Sequence, residues 1–259
     1  MKMPRLVLDP GHGGRDPGAV GKRLKEKDVN LKACLYLRDA LVRAGFQVLM
    51  TRDKDTERVP GVTDAVDLKA RAMLANTNSA DLYVSWHYDA SADENVHGVS
   101  VWIHPSQKDK TAYYKADLLS HHIAAATGQK HRGVYLGDFQ VLRDTMMDAL
   151  LIEGGFITNA AEEARIGDER FLQRQAEAAA EALCKIFDRR YIAPAVTLPA
   201  ATYRSDDRVT VKVNGASLVQ HGRLIEGKTY VPVRELAELL GCAINWDNDT
   251  HTVSLTRGE

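Results

Sequence analysis

Two histidines and two glutamates occupy positions from which their side chains can converge. His12 lies in a glycine- and proline-rich loop after a short apolar strand, and His87 ends the apolar strand predicted at 82–87. In an open parallel sheet, ligands collect at the carboxyl ends of the strands, so both imidazoles are predicted at one edge. Glu26 ends the same loop, and Glu153 follows four apolar residues. We expect all four side chains at that edge.

These residue types suit metal-assisted hydrolysis. Two imidazoles and one carboxylate are a standard ligand set for catalytic zinc, with the fourth position open. Such a site keeps a net positive charge and activates water near neutral pH. A second carboxylate off the metal is needed as general base and later as acid. His12, Glu26 and His87 as ligands, with Glu153 as the base, fill these roles.

Other interpretations of the same residues stay open, because the ligands would come from separate elements. His12 could be a turn histidine bonded to backbone, and Glu26 a solvated carboxylate favoured by the helix dipole. Glu153 could form a buried ion pair with an arginine such as Arg143. His104 also ends a predicted strand and is the main rival as third ligand.

The glycines of the loop allow a phosphate-binding alternative. Gly11, Gly13 and Gly14 precede a predicted helix, whose N-terminus could cradle a phosphate. However, the sequence has neither GxxxxGK[ST] nor GxGxxG, and the glycine run ends well before the helix begins.

Strands and helices alternate along most of the chain. Strands are predicted at 6–8, 46–50, 82–87, 98–104, 139–142 and 149–152, and helices at 28–44, 64–78, 111–127 and 161–187. This alternation predicts an α/β layered fold with a largely parallel sheet.

The composition changes after the last of these helices. Residues 193–202 carry no charge and two prolines, which is typical of a linker, although an ordered strap packed on the first domain is an alternative. We therefore divide the chain into a catalytic domain at 1–190, a linker at 191–207 and a small β-rich α+β module at 208–259. Asn214-Gly215 predicts a hairpin turn in that module. A module of about 50 residues is marginal alone.

Composition excludes several functional classes. The 259 residues carry 34 Lys+Arg and 35 Asp+Glu, and this balance removes the basic field of a general nucleic-acid binder. No apolar run approaches the roughly 20 residues that a membrane-spanning helix needs. The three cysteines are too far apart for a disulfide framework, and burial is predicted for them. They are Cys34, Cys184 and Cys242.

The N-terminus has no long apolar region and no small-residue cleavage site. We expect either that the protein lacks a signal peptide or that the sequence begins after one. The first case predicts synthesis in the cytoplasm of a host or mother cell, with action on the wall after release.

Several blocks, in order over residues 4–190, resemble the zinc-dependent N-acetylmuramoyl-L-alanine amidases of the amidase-3 type. The blocks are Asp9–Gly14, Asp16–Ala19, Glu26–Leu31, Ser85–Ala90, Val141–Thr145, Ile152–Asn159 and Glu162-Glu163. The resemblance implies a twisted six-stranded sheet flanked by helices. It also implies one zinc ion on His12, Glu26 and His87, catalysis by Glu153, and hydrolysis of the amide between N-acetylmuramic acid and L-alanine in peptidoglycan.

The sequence departs from the family pattern at two places. Asp89 stands where the family commonly has Asn, and Met146–Ala149 follows Thr145 where Met-Pro-Ala is common. Asp89 could change the hydrogen bonding around the ligands or the substrate preference.

The tail resembles the copper amine oxidase N-terminal-like domain. The resemblance rests on Val213–Gly215, Gly227–Arg234 and Gly241–Trp246. No copper ligand set is visible, since His221 and His251 are isolated. The resemblance implies attachment to the cell wall.

These observations predict a peptidoglycan hydrolase, either an endolysin or an autolysin. The alternatives are a zinc peptidase that cuts the stem peptide and a wall-binding protein with a dead metal site. The sequence carries no signal for an oligomeric state.

Overall fold

The computed structural model describes residues 3–108, 110–194, 208–213, 216–217, 222–225, 228–247 and 252–257. The chain forms two compact units, Met1–Pro194 and Ala195–Glu259.

A six-stranded sheet forms the centre of the first unit. Its strands are β1 (Arg5–Pro10), β2 (Gln47–Met50), β3 (Leu82–Asp89), β4 (Val99–Ile103), β5 (His131–Leu136) and β6 (Ala149–Phe156). They lie in the order β2-β1-β3-β6-β4-β5. All neighbours pair in parallel except β4 and β6, which are antiparallel. The predicted α/β fold with a mostly parallel sheet is confirmed.

Helices cover both faces of this sheet. They are α1 (Glu26–Arg43), α2 (Asp64–Thr77), α3 (Lys110–Thr127), α4 (Gln140–Arg143), α5 (Ala160–Ile166) and α6 (Glu169–Ile186). Because side chains alternate across a strand, Leu6 and Leu8 pack in the core beneath α1, α3 and α6. Val7 and Tyr83 point to the opposite face and pack in a smaller core with α2 and α4.

Three local predictions were wrong. The predicted strand 139–142 is the single helical turn α4, and the structure has a strand, β5, that was not predicted. This edge strand is exposed or half-buried along its whole length, so its sequence lacks a clear apolar period. The predicted helix 161–187 is two helices, because Asp168 caps the second by accepting from the Arg170 amide at 2.9 Å. Helix α1 begins at Glu26 rather than at residue 28.

In its described residues, the second unit contains short strands and one helix. The strands are β7 (Arg208–Val209), β8 (Lys212–Val213), β9 (Ala216–Ser217), β10 (Gly222–Ile225), β11 (Lys228–Tyr230), β12 (Cys242–Asp247) and β13 (Thr252–Arg257), and the helix is α7 (Val233–Leu239). The pairings are β11-β10-β7, β12-β13 and β8-β9. The predicted turn at 214–215, His221, His251 and linker residues 195–207 lie outside the described residues.

Two further observations concern composition. Cys34 and Cys184 are buried, as predicted, and Cys242 is half-buried. Within the part of the chain that the structure describes, no helix is both long and apolar enough to cross a membrane.

Candidate metal centre

The structure brings His12, Glu26 and His87 together. His12 follows β1 by two residues, Glu26 is the first residue of α1, and His87 lies near the end of β3. Glu26 Oε2 lies 3.1 Å from His12 Nε2, and Glu26 Oε1 lies 2.8 Å from His87 Nδ1. One ligand atom from each of the three residues lies within 4.8 Å of the others, a spacing at which one metal ion could touch all three.

Hydrogen bonds orient each of these side chains. Asp16 Oδ2 accepts from His12 Nδ1 at 2.7 Å, which leaves Nε2 free to bind a metal. Glu26 Oε1 accepts from Asn30 Nδ2 at 3.1 Å, and Oε2 accepts from the Ala19 amide at 2.8 Å. No role was predicted from the sequence for Asp16 or Asn30, although each lies four residues after a predicted ligand.

The electrostatics of the cluster suit a cation. Burial alone would raise the pKa of Glu26, but hydrogen bonds and charge at His12 and His87 lower it well below its usual range. For His12, burial favours the neutral ring, while Glu26 and Asp16 raise its pKa above the usual value. The side chain of Glu26 is therefore a buried carboxylate that needs positive charge beside it. A divalent cation would supply this charge while the imidazoles stay neutral, so the residues fit a metal.

Glu153 lies beside the three ligands on the neighbouring strand. Its Cα is opposite that of His87 in the β3–β6 pairing. Its Oε2 is buried and has no hydrogen-bond partner among the residues that the structure describes. Burial, followed by the charges of Asp89 and Glu26, raises the pKa of Glu153 well above its usual value. A raised pKa of this kind suits a carboxyl group that accepts and then releases a proton.

A cleft of about 390 Å³ opens over these groups. It is lined by the ligand side chains and Glu153, together with Asp89 and Phe139. Asp89 is half-buried, and burial raises its pKa. An amide substrate entering this cleft would meet the ligands and the proton-exchanging carboxyl group together.

The alternative interpretations do not match the geometry. Arg143 is paired with Asp138 at 2.6 Å rather than with Glu153. His104 bonds to Ser106 Oγ at 2.6 Å and to Asp138, and it is not among the described residues that line the cleft.

The glycine amides cannot cradle a phosphate in this arrangement, because each already has a partner. Gly11 donates to the Trp86 carbonyl, Gly13 to the Asp16 carbonyl and Gly14 to Asp55 Oδ1. These three hydrogen bonds measure 3.1, 3.0 and 2.8 Å, respectively.

A glycine is required at position 11 because the backbone directly after β1 approaches the His87 ring closely. A Cβ atom at this position would overlap the His87 ring. We expect Gly11→Ala to displace that imidazole and to weaken metal binding, measured by titration against a competing chelator. Gly167→Ala is the matched control, since its Cβ would meet its nearest neighbour at 3.4 Å. Equal metal affinity in both variants would show that the close packing does not position His87.

Comparison with known proteins gives two family matches. The model of a family described as N-acetylmuramoyl-L-alanine amidase matches residues 6–185. A second, described as copper amine oxidase N-terminal domain, matches residues 212–259.

Individual relatives agree with the first match. The germination-specific N-acetylmuramoyl-L-alanine amidase of Bacillus subtilis (strain 168) is 32% identical, covering 71% of this chain and 80% of that protein. The solved catalytic domain of CwlV, an N-acetylmuramoyl-L-alanine amidase from Bacillus (Paenibacillus) polymyxa var. colistinus, is 32% identical. It has a TM-score of 0.65 and covers 73% of this chain and 100% of that one. A solved N-acetylmuramoyl-L-alanine amidase from Clostridium difficile 630 is also 32% identical, with a TM-score of 0.65, covering 72% and 97%.

Proposed function

Since this chain belongs to the N-acetylmuramoyl-L-alanine amidase family, we propose that it cleaves peptidoglycan with one zinc ion held by His12, Glu26 and His87. The enzyme hydrolyses the amide bond between N-acetylmuramic acid and L-alanine. The observation that carries the proposed site is the convergence of the three ligands beside Glu153, whose buried Oε2 has no hydrogen-bond partner among the described residues. We further propose that the enzyme acts at the bacterial cell wall, where this substrate lies.

The choice of zinc rests on the donor set. Two imidazole nitrogens and one carboxylate oxygen are typical of catalytic zinc, whereas calcium and magnesium prefer oxygen ligands alone. When bound to these residues, zinc would supply Lewis acidity to the site. Family membership supports the same metal, since these amidases are generally zinc-dependent.

Glu153 is assigned as the proton carrier of the reaction. It takes a proton from the attacking water, whose oxygen forms a bond to the lactyl carbonyl carbon. When the carbon–nitrogen bond breaks, Glu153 returns the proton to the departing nitrogen of L-alanine. The products are a lactyl carboxylate and a free amino terminus on L-alanine. A carboxyl group with a raised pKa suits this return of the proton, because it holds the proton until the amine forms.

Fragment analysis tests this assignment. Purified sacculi are incubated with the enzyme, with and without a chelator, and both turbidity and the masses of released fragments are followed. We expect chelator-sensitive clearing and new amino termini on L-alanine. A peptidase would leave L-alanine attached to muramic acid, and a dead wall-binding protein would bind sacculi without releasing fragments. Either result would contradict the proposal.

We propose that the second unit attaches the enzyme to the wall. This rests on the match of residues 212–259 to the family described as copper amine oxidase N-terminal domain, a resemblance from which wall attachment was predicted. The catalytic residues all lie in the first unit. Tyr191 and Ile192 still contact that unit, since the Tyr191 hydroxyl donates to Glu177 at 2.7 Å and the Ile192 carbonyl accepts from Arg43 at 2.7 Å. A truncation should therefore end after Pro194.

We expect the chain 1–194 to keep its rate on small soluble muropeptides and to lose activity on whole sacculi. Loss of a second attachment lowers the effective concentration of the enzyme at the surface. Both rates are measured in parallel for the full and truncated chains. A structural role of the second unit would instead lower the melting temperature and reduce both rates equally. An unchanged ratio of the two rates would rule out wall attachment.

A further inference from the structure

Two buried arginines donate hydrogen bonds to the three consecutive carbonyls of residues 10–12, the segment that carries His12. Arg52 donates from Nε to the Pro10 carbonyl at 3.0 Å and from Nη2 to the Gly11 carbonyl at 2.9 Å. Arg71 donates from Nη1 to Pro10 at 2.9 Å and from Nη2 to His12 at 2.8 Å. Both arginines are buried and neither lines the cleft that contains Glu153, although Arg71 lines a second cavity together with His12 and His87.

Arg71 is itself fixed from two sides. Its Nε donates to Asp67 Oδ2 at 2.7 Å, one turn earlier on α2, and its Nη1 donates to Asp9 Oδ1 at 3.0 Å. Asp9 also accepts from the Thr51 hydroxyl at 2.6 Å and from the Ser85 hydroxyl at 2.8 Å. These bonds connect the guanidinium group of Arg71, through Asp9 on β1, to Ser85 on β3 and to Thr51, the residue after β2.

Arg52 joins the segments that carry two different ligands. Its Nη2 also donates to the Lys27 carbonyl at 2.8 Å, directly after Glu26. Asn30 forms a second link, since its Nδ2 lies 3.2 Å from the Gly11 carbonyl and 3.1 Å from Glu26 Oε1. The His12 segment and the start of α1 are thus connected through buried hydrogen bonds.

The backbone of His12 needs such support. Its φ of 62° lies in the left-handed region, which is unfavourable for a residue with a Cβ atom. A strained conformation of this kind persists only where its surroundings impose it. Arg71 contacts the carbonyl of His12 itself, so it is the side chain placed to impose this conformation.

We propose that Arg52 and Arg71 are positioning residues for the metal centre. They hold His12 and Glu26 in the metal-binding arrangement before the ion arrives, so that binding does not have to order the loop. The inference rests on the proposed zinc centre. A buried ion pair is weak evidence for a role in stability alone, because its desolvation offsets much of its attraction. The orientation of both guanidinium groups toward ligand-bearing backbone favours a positioning role.

Arg71→Lys tests this role, because lysine keeps the charge and loses the planar fork. The zinc dissociation constant is measured by competition with a chromophoric chelator, and the absorption spectrum of the cobalt-substituted protein reports the ligand geometry. We expect zinc affinity to fall roughly 10- to 100-fold, the range for partners of metal ligands. We also expect an altered cobalt spectrum.

Arg43→Lys is the matched control. Arg43 also forms a forked pair, donating to both carboxylate oxygens of Glu177 at 2.8 and 2.6 Å, but at the other end of α1. We expect it to lower the melting temperature without changing zinc affinity. Asp67→Asn is the second test variant, because it removes one of the two carboxylate partners of Arg71 and leaves the residues of the His12 loop unchanged. It remains informative if Arg71→Lys does not fold.

The outcomes separate this inference from the proposed zinc centre. Weaker zinc binding in Arg71→Lys or Asp67→Asn, at a loss of thermal stability no greater than in Arg43→Lys, supports positioning. Wild-type zinc affinity and an unchanged cobalt spectrum in the folded variants would overturn the inference and leave the zinc centre intact. A wild-type chain that does not bind zinc would overturn both.

Discussion

Replacing Glu153 with glutamine is expected to lower kcat by about 10²- to 10⁴-fold, the usual contribution of a general acid–base group. Glutamine keeps the shape of the side chain and cannot accept the proton. Zinc should remain bound at one ion per chain, because Glu153 is not assigned as a ligand. The measurements are kcat on a soluble muropeptide and zinc content after gel filtration.

The control for this variant is Glu169→Gln, which makes the same chemical change in an exposed pair with Lys32. It should leave the rate and zinc content at wild-type values. Near-normal activity of Glu153→Gln would show that another group carries the proton. A loss of zinc would show instead that Glu153 belongs to the ligand set.

The same substitution should change the pH dependence of stability. The pKa of Glu153 is higher in the folded protein than in the unfolded chain, because burial disfavours the charged form. The folded state therefore holds a proton that the unfolded state releases, and stability falls as pH rises above the unfolded pKa of about 4.3. Glutamine has no proton to lose at this site. In metal-free protein, we expect the melting temperature of Glu153→Gln minus that of the wild type to be larger at pH 8 than at pH 5.

Removing any one of the three proposed ligands is expected to reduce zinc content from one ion per chain to near zero. Activity of His12→Ala, Glu26→Gln and His87→Ala should fall to the level of chelator-treated wild type. Only the folded state presents the complete site, so zinc at 100 times its dissociation constant should stabilise the wild type by about 2.7 kcal/mol. The variants should lose the corresponding rise in melting temperature.

His104→Ala is the control for the ligand variants, since His104 also follows a strand but bonds to Ser106 and Asp138. It should retain zinc and activity. Full zinc occupancy in any of the three ligand variants would remove that residue from the proposed centre. Acidification should release zinc from the wild type, because the imidazoles must be neutral to bind metal.

The fold class and most elements could be predicted from local patterns. The stripe of Val29, Ala33, Leu37 and Leu41 repeats every four residues, and these side chains are the buried face of α1. Apolar runs likewise predicted β1, β3 and β6, which are buried along nearly their whole length. Where burial was partial, as in β5, the pattern was weak and the element was missed.

The chemical groups of the site were also visible in the sequence. A histidine or glutamate directly after an apolar strand is conspicuous, because an unpartnered polar group near a core is costly. The sequence therefore singled out His87 and Glu153 at strand ends, together with His12 and Glu26 in the loop after β1, but it left His104 as a rival and allowed an ion pair for Glu153. The order of residues along the chain does not determine which strand ends are neighbours in the sheet. The sequence therefore could not decide between His104 and the other candidate ligands, or between an ion pair and a catalytic role for Glu153.

The tertiary structure determined which of these side chains lie close together. The order β2-β1-β3-β6-β4-β5 places β1, β3 and β6 side by side, which puts His87 opposite Glu153 and sends β4, with His104 after it, in the opposite direction. The hydrogen bonds from Arg52 and Arg71 to the His12 segment span 41 to 61 residues of sequence. No local period encodes contacts over such separations. These contacts form because strand pairing brings distant segments together and because buried charged groups need hydrogen-bond partners. Both conditions are met only in the complete fold.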